Sequence, residues 1–195
     1  MKFNHYETLV NLVLGYLLLI AFMFGLGIDY DNKLTVPYLA SAYVIGYMLN
    51  ALSSLLEPFY YWTIRGMPSD RLLTVQPNKG YSGNRKVKFY RTQEVIDKLK
   101  SDLHDTNPSK GKMFGTAMSY SNNRHDTRVP DFNAQYAFSR EILTLILIIS
   151  IIIIAKEPTC GYSYISILVL LLAWNRFKER GYYYAKEVLT EYLKK

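Results

Sequence analysis

Thr8–Ile28 reads TLVNLVLGYLLLIAFMFGLGI and Leu34–Leu56 reads LTVPYLASAYVIGYMLNALSSLL, runs of 21 and 23 residues without one charge. At about 1.5 Å of helical rise per residue, each covers a hydrocarbon core of about 30 Å. Two further runs lie near the other end of the chain. Pro158–Asn175 is 18 residues, and Ile142–Ala155 (ILTLILIISIIIIA) is 14. The shorter one becomes long enough if its helix starts at Phe132, with Asp131 as N-cap after Pro130. Arg140 then snorkels while Tyr136 and Phe138 sit at headgroup level. The expected fold class is a mainly α membrane protein with four transmembrane helices, at 8–28, 34–56, 132–155 and 158–175. The alternatives are a buried core helix for any one run and a signal peptide for the first. The first run is long for a signal peptide, and no small-x-small cleavage site precedes Asp29.

The rest of the composition fits. Of 195 residues, half are hydrophobic, 20% are charged and 29 are aromatic (18 Tyr, 9 Phe, 2 Trp). The mean hydropathy of -0.02 averages the apolar runs with a polar middle. Disordered, collagenous and disulfide-rich classes are excluded. A single cysteine, Cys160, excludes an intrachain disulfide and a cysteine-based metal cluster.

Charge gives the orientation. The segment Glu57–Glu141 carries 14 Lys/Arg against 9 Asp/Glu, and the tail Arg176–Lys195 carries 6 against 3. Everything else carries 3 against 4. In a four-span topology both basic segments share one side. The positive-inside tendency makes that side the cytoplasm, with both termini there. The expected location is a membrane crossed several times. The expected organisation is a transmembrane hairpin at 1–56, a cytoplasmic basic α+β unit at 57–131, a second hairpin at 132–175 and a helical tail at 176–195.

In the cytoplasmic unit, Phe59, Tyr60, Tyr61 and Trp62 read as an interfacial belt ending the second span. RLLTV (Arg71–Val75) and KVKFYR (Lys86–Arg91) read as short strands joined through the turn region Pro77–Gly80. Thr92 offers an N-cap to a helix through Asp105, with Glu94 in its first turn and Val95, Ile96, Leu99 and Leu103 at helical spacing. Thr106–Val129 reads as loop. The fourth span runs on as a helix with Phe177, Tyr184, Val188 and Tyr192 in one stripe. That stripe either packs on the cytoplasmic unit or the bilayer, or forms an oligomer contact.

No enzyme motif is present: there is no GxSxG, HExxH, Walker A loop or CxxC pair. His5, His104 and His125 are far apart in sequence, so no metal site and no cofactor are expected. Two other patterns carry chemistry. On the second span Ala42, Gly46, Asn50, Ser53 and Ser54 form a small, polar stripe. It either packs helices closely or lines a narrow path in an oligomer, which a single copy of four helices is too small to enclose. In the cytoplasmic unit, Lys79, Arg85, Lys86, Lys88 and Arg91 lie in a stretch without an acid, among Tyr81, Phe89 and Tyr90. Arg124, His125 and Arg128 add a second basic knot. Cations attract phosphates and rings stack on bases, so the pattern suits a nucleotide or a short single strand. Anionic headgroups of the bilayer and plain solvation are the other readings.

The order of two spans, compact cytoplasmic piece, two spans and helical tail, with DFNAQYAFSREIL (Asp131–Leu143) and RGYYYAKEVL (Arg180–Leu189), resembles small membrane effectors of bacterial antiphage defence operons. The Hailong-type channel effector is the nearest in layout, and the Kiwa-type membrane protein is similar in span count. The Hailong resemblance implies an oligomeric channel, held shut by short single-stranded DNA from an operon-encoded nucleotidyltransferase partner. The function expected is thus a homo-oligomeric, tetrameric inner-membrane channel effector, gated by a nucleotide or short single strand, that kills by depolarisation. The alternative is a membrane anchor or scaffold that recruits a cytoplasmic partner without a pore.

Overall fold

The computed structural model describes residues 5–64, 66–76, 79–124 and 126–195. Its helices are α1 (His5–Leu26), α2 (Thr35–Thr63), α3 (Pro68–Leu72), α4 (Thr92–Leu103), α5 (Lys110–Asn122), α6 (Val129–Lys156) and α7 (Gly161–Tyr192). Two strands, β1 (Ser82–Gly83) and β2 (Lys88–Phe89), pair antiparallel with Ser82 opposite Phe89. The chain divides into two compact units. One comprises Met1–Pro58 and Ser139–Asn175, the other Phe59–Phe138 and Arg176–Lys195. The first carries 4 Lys/Arg against 6 Asp/Glu, the second 19 against 10.

Three helical stretches of the described residues are long and apolar enough to cross a membrane: Thr8–Leu26, Asn32–Thr63 and Val129–Lys156. The run after Pro158 is not among them. Residues 158–160 stay outside α7, and only Gly161 to Asn175 precede Arg176. The span ends also differ from the sequence reading. Helix α2 continues past Leu56, with Pro58 inside it, and takes in the aromatic run up to Thr63. Helix α6 begins at Val129, which moves Asp131 from the cap into the first turn.

In the first unit α1 and α2 touch backbone to backbone. A Cβ on Gly15 would lie 1.8 Å from the Ala42 carbonyl oxygen, and one on Gly46 would lie 1.8 Å from that of Asn11. Ala42 and Gly46, four apart on α2, and Gly15 on α1 make this approach possible. The buried set of this unit is rich in polar groups: Ser53, Ser139, Glu141, Thr144, Ser150, Ser163 and Ser166. The hydroxyl of Ser150 donates to the Ser166 carbonyl at 3.3 Å, and that of Ser166 to the Ser163 carbonyl at 2.9 Å. Large apolar side chains face outward, among them Leu9, Val13, Ile165, Leu168, Leu171 and Leu172. Cys160, half-buried, sits between α6 and α7.

The second unit buries Leu72, Leu73, Val87, Phe89, Val95, Leu99, Met113 and Ala117 with Tyr182, Val188, Leu189 and Tyr192 of α7. The aromatic stripe of the tail is therefore core within the same chain, and Tyr184 stacks on Tyr136 at 5.7 Å. Two expectations are corrected. Arg71–Val75 is not a strand: Pro68 at the first position and Asp70 in the first turn start the short helix α3 instead. Thr106–Val129 is not all loop. The Ser109 side chain caps α5 by accepting from the Lys112 backbone N–H, and Met113, Ala117 and Ser121 fall four apart on its buried face. Helix α4 matches its predicted start closely, but its cap residue is Arg91 and Thr92 is already helical. The β content shrinks to two residue pairs, since only Lys88–Phe89 of the KVKFYR segment joins a ladder.

Candidate ligand-binding hairpin

The β1–β2 hairpin is fixed by two residues at its turn. Gly83 has φ +109, and a Cβ there would meet the Val87 carbonyl oxygen at 2.4 Å. Asn84 follows, and its side-chain oxygen accepts from the backbone N–H groups of Lys86 at 2.9 Å and Val87 at 2.6 Å. This closes the loop as an Asx turn and leaves Arg85 and Lys86 exposed at the tip.

Below the tip, Lys88 Nζ lies 4.9 Å from the centre of the Tyr81 ring. Tyr81 meets Tyr90 edge to face at 5.9 Å, and Tyr90 is 69% exposed. Lys79, Arg85 and Lys88 have no acidic partner among the described residues. Lys86 is 3.3 Å from Glu179, an exposed pair that salt screens. The hairpin thus places Lys88 beside Tyr81 and Tyr81 against Tyr90, with Arg85 and Lys86 exposed at its tip.

Other residues singled out from the sequence are otherwise engaged. Phe89 points into the core. Arg91 forms a two-point pair with Glu94, at 2.5 and 2.7 Å, and its guanidinium holds the Glu94 carboxyl below the usual range. Arg124 pairs with the buried Glu191 at 2.8 Å, and Arg128 lies over the Phe132 ring at 5.2 Å. His125 is outside the described residues. The counter-charges Glu94 and Glu191 were visible as acids in the sequence, but only the first sits at helical spacing from its arginine. Glu179, some ninety residues from Lys86, offered no local signal.

The stripe on α2 divides in two. Ala42 and Gly46 form the close contact with Asn11 and Gly15 of α1. The Asn50 carbonyl accepts from the hydroxyls of Ser53 at 2.7 Å and Ser54 at 3.2 Å. Both hydroxyls also accept from Arg140, at 3.3 and 2.8 Å, and Arg140 pairs with Glu57. This network of one arginine, one glutamate and two serines ties α2 to α6 within the first unit. Sequence reading placed Arg140 and Glu57 at span ends but did not join them, because no local spacing links residues 83 positions apart. Among the described residues no group of three His, Cys, Asp or Glu side chains is placed to hold a metal ion.

Comparison with protein families, with curated proteins and with solved structures finds no match to this chain.

Proposed function

We propose that this protein is a homo-oligomeric, channel-like effector of the bacterial cytoplasmic membrane. In this reading α7 supplies a fourth crossing, both termini face the cytoplasm, and the hairpin binds a nucleotide or short single strand that gates the path. The observation that carries the reading is the hairpin patch. Lys88, without an acidic partner among the described residues, stands over one of two rings in edge contact, the other widely exposed, which suits a phosphate and a stacked base. The fourth crossing is supported by the outward face of α7, where Tyr164, Ile165, Leu168, Leu171 and Leu172 are all exposed. The chain passes between its two units within α2, α6 and α7, at 58/59, 138/139 and 175/176. A ligand favouring one arrangement of these helices shifts the population toward it.

The test is binding of a labelled oligonucleotide by the detergent-purified chain and by an Arg85→Glu/Lys88→Glu variant. Loss of two phosphate contacts flattens the log–log salt slope by about 1.4 and weakens binding at least roughly tenfold. Equal affinity and equal salt slope in the two proteins defeat the ligand assignment.

A second reading, a membrane anchor that recruits a cytoplasmic partner, is favoured by the fate of the α2 stripe. Ala42 and Gly46 pack on α1, and Ser53 and Ser54 serve Arg140, all inside one chain. Expression of the chain alone separates the two, since an ungated channel depolarises cells followed with a voltage-sensitive dye and an anchor does not.

A further inference from the structure

The first unit contains a cavity of about 530 Å³ between α1, α6 and the start of α7. Its walls are Leu17, Ile20, Ala21 and Phe24 on one side and Ile149, Ile152 and Ile153 on the other. Its polar groups, Glu157 and Tyr162, gather at one end, where α6 has finished and α7 begins. An apolar slot with polar groups at a single end matches an amphiphile, with its chain in the slot and its head at the mouth. The volume lies within the range of sites that take a molecule of that size.

The mouth also has a sign. Lys156 is engaged beside the cavity and does not line it: its Nζ donates to the Phe24 carbonyl and lies 4.1 Å from the centre of the Phe24 ring. That contact holds Phe24 in the wall and leaves Glu157 with no cationic partner among the described residues. Close approach of α1 to α6 is fixed next to the slot by Gly25, where a Cβ would meet the Ile152 side chain at 2.8 Å. The slot belongs to helices α1 and α6, both long and apolar enough to span a bilayer, so acyl chains are the medium at its opening.

We infer that this cavity binds one acyl chain of an amine-headgroup glycerophospholipid, with the ammonium group at the Glu157 carboxylate and Tyr162 at headgroup level. Exposed aromatic residues favour that level. An anionic lipid is disfavoured by this carboxylate, which has no cationic partner among the described residues, and a choline headgroup offers the positive charge without an N–H donor. The inference rests on the membrane placement of α1 and α6 and not on the hairpin ligand.

The full chain, purified in mild detergent, is mixed with phosphatidylethanolamine, phosphatidylcholine or phosphatidylglycerol, and retained lipid is counted by native mass spectrometry. The expected result is one retained phosphatidylethanolamine per chain, favoured about fivefold over the other two. Glu157→Gln keeps the shape and abolishes that preference. Ala21→Phe fills the slot and lowers retention of every lipid roughly tenfold, and Ile153→Phe does the same from the opposite wall. Circular dichroism verifies that both filled variants keep their helicity. Retention unchanged in both filled variants, or a preference that survives Glu157→Gln, overturns the site. A second copy occupying the slot is recognised by a dimer that both filled variants dissociate, and it also overturns the inference. Each of these failures leaves the membrane reading intact, whereas a chain that stays soluble without detergent defeats both.

Discussion

The two units of this chain expose opposite things. The Phe59–Phe138 and Arg176–Lys195 unit hides leucine, valine and aromatic side chains and exposes lysines, as a protein in water does. The Met1–Pro58 and Ser139–Asn175 unit hides serines, a threonine and Glu141 among buried leucines such as Leu14, Leu49 and Leu143, and exposes many further leucine, isoleucine and valine side chains. Polar atoms seek partners inside because none exists outside, which is the arrangement that hydrocarbon imposes on a helix bundle. Compactness therefore has two causes in one polypeptide. One unit is closed by water rejecting its core. The other is closed by packing of small residues and by hydrogen bonds such as those of Arg140.

The contrast is sharpest where backbones touch. Replacing Gly46 by Leu puts carbon where the Asn11 carbonyl already is, so α1 and α2 must separate. A loss of about 4 kcal/mol or more is expected, read as a collapse of the thermal transition in detergent. Next in size is a matched pair of leucine truncations. Leu99→Ala, at a fully buried site in α4, is expected to cost about 2–5 kcal/mol in denaturant titration. Leu172→Ala, on the outward face of α7 at 61% exposure, is expected to change the same measurement by less than about 0.5 kcal/mol. Equal costs at the two leucines would break the comparison.

A smaller effect than the Leu99 truncation concerns pH in the basic unit. Lys195 and the Tyr192 hydroxyl both donate to Asp102, and these bonds hold its carboxyl below the ordinary aspartate range. Burial, with the neighbouring carboxylate, pushes the Tyr192 hydroxyl well above its usual value, so it stays a donor at neutral pH. A depressed carboxyl contributes stability that is complete above the unfolded value near 3.9 and disappears as pH falls through the folded one. Asp102→Asn should therefore lower the unfolding free energy slightly at pH 7, by about 1 kcal/mol or less in denaturant titration, with the difference from wild type vanishing on acidification below about 4. A difference that grows with acid would show that the pairing is wrongly assigned.

The long helices were legible in the sequence because charge-free length needs no tertiary information. Their ends were less so. Pro58 reads locally as a stop, yet α2 passes through it, and removal of one helical donor is tolerated where Ser54 and Arg140 hold the same turn. Helix α5 was missed because its buried face is Met113, Ala117 and Ser121, two of them too small to register as a hydrophobic period. Of the basic cluster, Lys88 lies over Tyr81, which meets Tyr90, and alternation in KVKFYR had put Lys88 and Tyr90 on one face. It could not reveal that Phe89 and Arg91 have other partners, since one depends on a core assembled from distant segments and the other on Glu94.

Cys160 gives the chain an incidental advantage. It is the single thiol in the sequence and lies in the short turn joining α6 to α7. A membrane-impermeant maleimide applied to intact cells, compared with the same reagent after lysis, reports which compartment that turn inhabits in the unmodified polypeptide. Sidedness can thus be read without a tag, a fusion or a substitution.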